Sequence, residues 1–533
     1  MKKTKEFNGG ITLIALVITI IVILILAVVS INAFMGDDGL LKRTAEGKED
    51  SDIAQEKEEI KLAIGASLID KNGIITDESL RNEITQSKNL NVNNLSGNDP
   101  WLYHGKKTYT IDRNGRMIEG IYSVWDGESE EVPEIRKEEN KFNWYIYNCA
   151  QLKFLEEFVN NANKLTENQK ELIRGVYNEE DIVLNEETNV QLMSNLDFGA
   201  REKDGTWNNE ENRQREWRPI GKTTDYKLIA KFDGNHHTIN GIYINLESNG
   251  VGLFGYACDV ENLIIQNSHI EGRIRTGSIA GYSEKLYDCH NINTEVILKE
   301  GAFHTVGGVV GYFNGELLSK CTNNGRVIAY GISASNNSQA GGVVGYLTNV
   351  ASIEDCKNYG EVNAVGNRVG GIAGQNNSKF VKKCYNYGKV TSNRLYTGGI
   401  CGMSNKCALI ENCENHGIIE SKDQCAGGIT GSTAGTDSME INCCKNNGNI
   451  TGGAITGGIA GYQHNTVTIN NCENIGNIKS GGAPETTSNS AGGISGSGYA
   501  SINESINRGE VISYKQHRWN RAGGISGFYR NKF

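Results

Sequence analysis

Proline is almost missing from this chain, 4 in 533 residues, and beside 65 glycines that excludes both a collagen-like helix and a proline-rich disordered chain. Positive excess is missing too. The formal net charge is −10, and a general binder of nucleic acid or anionic membrane needs a positive surface to displace counterions. Several signatures of catalysis and metal binding are also absent. None of the nine histidines opens an HExxH helix, no cysteine pair has CxxC spacing, and there is no GxxxxGK[ST] loop, GxSxG elbow or GGxGxD calcium repeat. The expectation is a chain with no catalytic residue, no cofactor and no metal.

What is present begins with an apolar run. Residues 7–35 carry no charge, and the 24 residues Ile11 to Phe34 would cover ~36 Å as a helix against ~30 Å of bilayer hydrocarbon. Lys2, Lys3 and Lys5 precede it, which leaves the N-terminus cytoplasmic and the remainder outside. The run is longer than the apolar core of a cleaved secretory signal. Its start, GGITLIAL, resembles a type IV prepilin leader. The resemblance implies cleavage by a prepilin peptidase between Gly10 and Ile11, and other pilin subunits as partners. In the pilin pattern the fifth mature residue is Glu, whereas this chain has Ala15. That departure points to a minor or tip subunit, or a plain anchor, in place of a major pilin.

Beyond the membrane segment, Leu41, Ala45, Ile53, Ile60, Ile64 and Leu68 recur near helical spacing. Residues 101–122 then alternate apolar and polar around Asn114-Gly115, a hairpin signal. The division expected is a leader over 1–10, a transmembrane helix over 11–34 and a small helix-and-hairpin head over 35–122. An acidic linker over 123–141 leads to a cap with first coils over 142–250 and a repeat array over 251–533.

The array is the strongest signal. A GG[IV]xG box begins at Gly307, Gly341, Gly370, Gly398, Gly427, Gly457, Gly492 and Gly523, with weaker copies at Val251 and Gly277. In phase with it runs CxNxGx[VI], as in CTNNGRV, CKNYGEV and CYNYGKV. Glycine or asparagine every few positions and β-branched residues at period two rule out a helical repeat. Each copy is expected to form one coil of short strands, about ten coils at ~4.8 Å each, a parallel β-solenoid. Like residues then stack. Cys321, Cys356, Cys384, Cys413, Cys444 and Cys472, with Ser505 last, form a buried column. Asn323, Asn358, Asn386, Asn415, Asn446 and Asn474, then Asn507, form an amide ladder at a turn. Gly325, Gly360, Gly388, Gly417, Gly448, Gly476 and Gly509 are expected at positive φ. The thirteen cysteines are accordingly read as packing residues, with Cys149 and Cys258 outside the register.

These boxes resemble the GLUG motif of bacterial surface proteins, including filamentous-haemagglutinin-like adhesins and streptococcal IgA-cleaving metallopeptidases. The resemblance covers roughly 142–533, with WRPIG and FDGNHHTINGIYI like the coils that precede such repeats and a capping helix from Cys149. It implies a solenoid displayed on the cell surface.

Three places in the sequence hold residues capable of chemistry or binding. His236 and His237 lie in a turn-like GNHHTING segment without a third ligand. The column holding Glu361 and Glu510 also holds Arg326, Lys389, Ile418, Asn449 and Asn477, and so varies like a surface. Lys515, Arg518, Trp519 and Arg521 form a cationic, aromatic patch suited to a glycan, phosphate or single-stranded nucleic acid, against the commoner reading of such a cluster as an exposed loop; the partner expected of the whole protein is a host or cell-surface glycan or protein. The expectation is a non-enzymatic, membrane-tethered, adhesin-like or minor pilin-like protein exposed outside the cell. A β-helix enzyme acting on carbohydrate and a structural spacer are the alternatives.

Overall fold

The structure, a computed structural model, describes residues 40–70, 75–97, 101–105, 108–111, 117–119, 125, 127–138, 141–199, 216–299, 304–330, 338–348, 352–435, 438–481, 489–514 and 521–529. Gly10, Ile11, Ala15 and the expected membrane helix lie outside the described residues. Among the described residues no helix is long and apolar enough to cross a membrane. The chain divides into two compact units at residues 121 and 122.

The first unit holds α1 (Leu40–Asp70), α2 (Asp77–Gln86) and a four-stranded antiparallel sheet. Ile60 and Ile64 of α1 reach a core with Leu80, Ile84, Trp101, Tyr103, Tyr109 and Ile111. Thr76 caps α2 with Ser79 in a reciprocal box, and Trp101 Nε1 donates to Asp77 Oδ1 at 2.8 Å. Asn114-Gly115 is outside the described residues, but the strands flanking it, Thr108–Ile111 and Met117–Glu119, do pair antiparallel.

The second unit opens with a folded segment where the composition suggested a linker. Trp125 is buried against Phe198 and Trp217, at ring-centroid distances of 5.5 and 5.6 Å. Glu134–Glu138 pairs antiparallel with Lys141–Ile146. Most of the described charges of that stretch face water while its few apolar residues find a core, which a count of charge does not anticipate. Then α3 (Cys149–Asn160), capped by Asn148 Oδ1 accepting from Gln151 N at 2.8 Å, buries Leu152, Phe154, Leu155 and Phe158. Phe154 and Phe158 tilt against Trp144 of the preceding strand, at 6.2 and 5.5 Å.

From there the chain winds a parallel β-solenoid of about nine turns. The strands that lead into each box, from Arg275–Thr276 to Arg521–Gly523, form one nine-stranded sheet. The weak copy at Val251 joins it only through a single bridge to Thr276, which is why the count falls short of ten. A second sheet of eleven strands carries the asparagines, and a third of ten carries the valine and isoleucine positions that follow. A fourth group of strands holds the residues from each box to the cysteine. Inward Val, Ile, Leu and Cys side chains give one long core, and smaller cores such as Val327, Ala340, Val362 and Val369 fill the corner between the valine strands and the strands that lead into each box.

The register runs like against like. Asn323, Asn358, Asn386, Asn415, Asn446, Asn474 and Asn507 are successive partners. The glycines after them do not have positive φ, contrary to expectation. Left-handed backbone falls instead on the residue before each cysteine, at Lys320, Asp355, Lys383, Asn412, Cys443 and Asn471. The glycines are required by crowding: a Cβ on Gly388 would overlap the carbonyl oxygen of Gly360 one coil below. Likewise the second box glycine, Gly371, lies where a Cβ would overlap both Gly399 O and the Asn386 amide. The box and the asparagine element recur in phase because they touch.

Candidate ligand-binding groove

The two ladders are structural. Each Asn Nδ2 donates to the next Asn Oδ1, from Asn291 to Asn507, at 2.7–2.8 Å. The second Nδ2 hydrogen of each goes to its own coil, as from Asn386 to Gly388 O at 2.9 Å. Aligned amides of this kind polarise one another. Asn291 and Cys289 extend both ladders one coil earlier than the motif showed, because CHNINTEV carries an extra residue where the others have glycine. Asn291 faces Ile265 on the other side, and its Oδ1 has no hydrogen-bond partner among the described residues.

All thirteen cysteines are free thiols. Burial raises Cys356, Cys384 and Cys444, and pushes Cys407 and Cys425 to about 12. Cys443 alone among the thirteen is exposed, on its left-handed corner. Native protein treated with a thiol reagent is expected to label Cys443 rapidly. The half-buried Cys258 should follow slowly and the other eleven only on unfolding, which a timed thiol titration with and without denaturant measures.

Outward residues build the candidate site. Strand alternation that turns Cys321 and Asn323 inward turns Thr322 outward, and with it the residues in register, His290, Lys357 and Tyr385. The left-handed corners add Asp288, Lys320 and Asp355. These side chains and Tyr387 line an open groove of about 480 Å³, within the roughly 300–1,000 Å³ of small-ligand sites. Within it His290 Nδ1 lies 2.7 Å from Thr322 Oγ1, and His290 Nε2 lies 3.2 Å from Asp288 Oδ1. Lys320 Nζ donates to Tyr287 OH at 2.5 Å. Burial raises the phenols of Tyr385 and Tyr387, which stay protonated as donors. Tyr387 also stands between Tyr359 and His416, stacked at 4.9 and 4.8 Å and nearly parallel, so both of its ring faces are covered.

The sequence reading passed over this groove, since its residues occupy the variable x positions of the repeat. Writing the copies one beneath another would have shown Tyr359, Tyr387 and His416 in one column. Of the cationic patch, Lys515, Arg518 and Trp519 lie outside the described residues, and Arg521 pairs in register with Ser490. His236 sits at positive φ with Nδ1 3.9 Å from Asp288 Oδ2. Arg326 and Glu361 are exposed and 3.9 Å apart, consistent with a solvated column. Among the described residues no three His, Cys, Asp or Glu side chains converge as a metal site.

A titrating group lies on the valine sheet. His269 stacks on Tyr243 at 5.4 Å, with Glu271 and Glu295 oxygens 3.6 and 3.5 Å from its ring nitrogens. Burial opposes its charge, but the hydrogen bonds and charges of both carboxylates outweigh burial and raise its pKa. A raised folded-state pKa stabilises fully below the unfolded value of ~6.5 and fades as pH rises through the folded value. His269→Gln is therefore expected to lower the unfolding midpoint more at mildly acidic pH than at alkaline pH, as parallel melts would show.

No family model matches the chain, and no curated protein matches it. Among solved structures, the chain is similar to that of a Bacteroides ovatus protein proposed to be an immunoglobulin A1 protease, with 17% identity and a TM-score of 0.32, covering 73% of this chain and 84% of the other.

Proposed function

We propose that this chain is a non-enzymatic bacterial cell-surface protein, adhesin-like or minor pilin-like, in which residues 11–34 hold the membrane and the solenoid carries a ligand site outside the cell. The observation that carries the reading is the groove lined by Asp288, His290, Lys320, Lys357 and Tyr385. It offers donors and acceptors of both charge signs on a rigid parallel sheet, which suits a hydroxyl-rich ligand such as a glycan and holds the site preorganised. Full-length protein applied to a glycan array is expected to bind a subset of glycans. Tyr385→Ala and Lys357→Ala should each weaken that binding about tenfold without moving the unfolding midpoint, a loss of ~1.4 kcal/mol. Unchanged binding by both variants would remove the groove from the reading. If the wild type binds nothing, the spacer or assembly-subunit reading is favoured instead. Mass spectrometry of the mature N-terminus tests the anchor: a chain beginning at Ile11 supports the pilin route and one beginning at Met1 counts against it.

The Asp288, His290 and Thr322 array favours a second reading, hydrolysis with Thr322 as nucleophile and His290 as base. In-register stacking brings such neighbours together without any catalytic purpose. Ester or glycoside turnover that Thr322→Val abolishes would establish it.

A further inference from the structure

The strands on either side of each box carry a second surface whose charges are unbalanced. In the column before the box Arg275, Thr305, Gln339, Arg368, Tyr396 and Cys425 are successive partners. In the column after it Tyr256, Tyr282, Tyr312 and Tyr346 stack at 5.2–5.6 Å. The Arg275 guanidinium lies 4.5 Å over Tyr312 and 5.8 Å over Tyr282, and Nη1 donates to Tyr256 OH at 3.3 Å. Half-buried Arg368 donates from Nε to Met403 Sδ at 3.1 Å, a weak acceptor. Burial depresses the Arg368 pKa, with Tyr396 and Tyr346 acting the other way. Neither arginine has a carboxylate partner among the described residues. Asp423 acts on Cys425, one turn after Tyr396.

A guanidinium withdrawn from water without a counter-charge is costly, and the chain has 63 acidic residues against 53 basic ones from which a partner could have come. We infer that this arginine and tyrosine face binds an acidic polysaccharide, whose carboxylate or sulfate groups supply the missing partners of Arg275 and Arg368. The two arginines stand three turns apart, ~14 Å at ~4.8 Å per turn. A single small anion reaches one of them; a chain with charges repeated along its length reaches both. Single-stranded nucleic acid fits less well, because bases bind by stacking on open ring faces and the tyrosines here cover one another's faces. This site is separate from the groove lined by Lys357 and Tyr385.

The test is binding of full-length protein to polygalacturonate and to dextran sulfate, with neutral dextran and single-stranded DNA alongside. One or both acidic polysaccharides are expected to bind and neutral dextran not to, with affinity falling as salt rises. The double variant Arg275→Gln/Arg368→Met should lose at least tenfold. Arg326→Gln, at an exposed arginine paired with Glu295, should lose nothing. Where Arg368→Met lowers the unfolding midpoint, Arg368→Lys keeps the charge and should keep the binding. Failure of the wild type to bind either polyanion, undiminished binding by the double variant, or DNA bound as tightly and lost in the same variant would each overturn the inference.

Discussion

Gly371→Ala is expected to cost about 3 kcal/mol or more, near the upper range for overpacking, whereas Gly524→Ala at the same motif position is expected to be neutral or slightly stabilising. Neither glycine has positive φ, so the backbone admits alanine at both. They differ in their neighbours. A Cβ at Gly371 would overlap Gly399 O in the next coil and the Asn386 amide in its own, while a Cβ at Gly524 meets nothing within 4 Å among the described residues. At Gly524 the loss of unfolded-state freedom then dominates, worth ~0.4–1 kcal/mol in favour of alanine. Urea unfolding midpoints of the two variants decide the matter. Equal midpoints would mean that coils do not press on one another at the box.

Asn386→Ala should be the next most damaging. It removes the bond from Asn358 Nδ2 and the bond to Asn415 Oδ1, both 2.8 Å, and the bond to Gly388 O at 2.9 Å. Asn415 Oδ1 and Gly388 O are left buried with a partner lost, at ~1–3 kcal/mol for each group left unsatisfied. The whole effect is expected at about 2–5 kcal/mol, since the aligned amides support one another. Asn507→Ala, at the partly exposed end of the ladder, breaks the bond from Asn474 at 2.7 Å and should cost about 1 kcal/mol. A double-mutant cycle of Asn386 with Asn415 is expected to show coupling, and simple additivity of the two losses would refute a cooperative ladder.

The cysteine and asparagine columns were legible because their spacing is a vertical fact: residues one period apart must stack in any solenoid, whatever the shape of the coil. Period-two placement of Cys and Asn also told which residues face inward. Contacts within a coil were not legible in that way. That Gly371 rests on Asn386, or that a left-handed corner falls on Lys383 and not on Gly388, depends on the angle at each corner. Trp125 and Glu134–Glu138 escaped notice for a related reason, since local charge hid a few apolar residues whose core lies far along the chain.

The amino-acid sequence by itself determined that this chain repeats, that its repeats are strands, and which side chains lie one above another, because a fixed period forces like onto like. Only the tertiary structure decided what those repeats present to a ligand. The groove joins Asp288, Lys320 and Asp355 with Tyr385 across four coils, and Arg275 and Arg368 stand three coils apart. Such sites are assembled from the variable positions, where no period constrains the residue, so their chemistry exists only once the coils have been stacked.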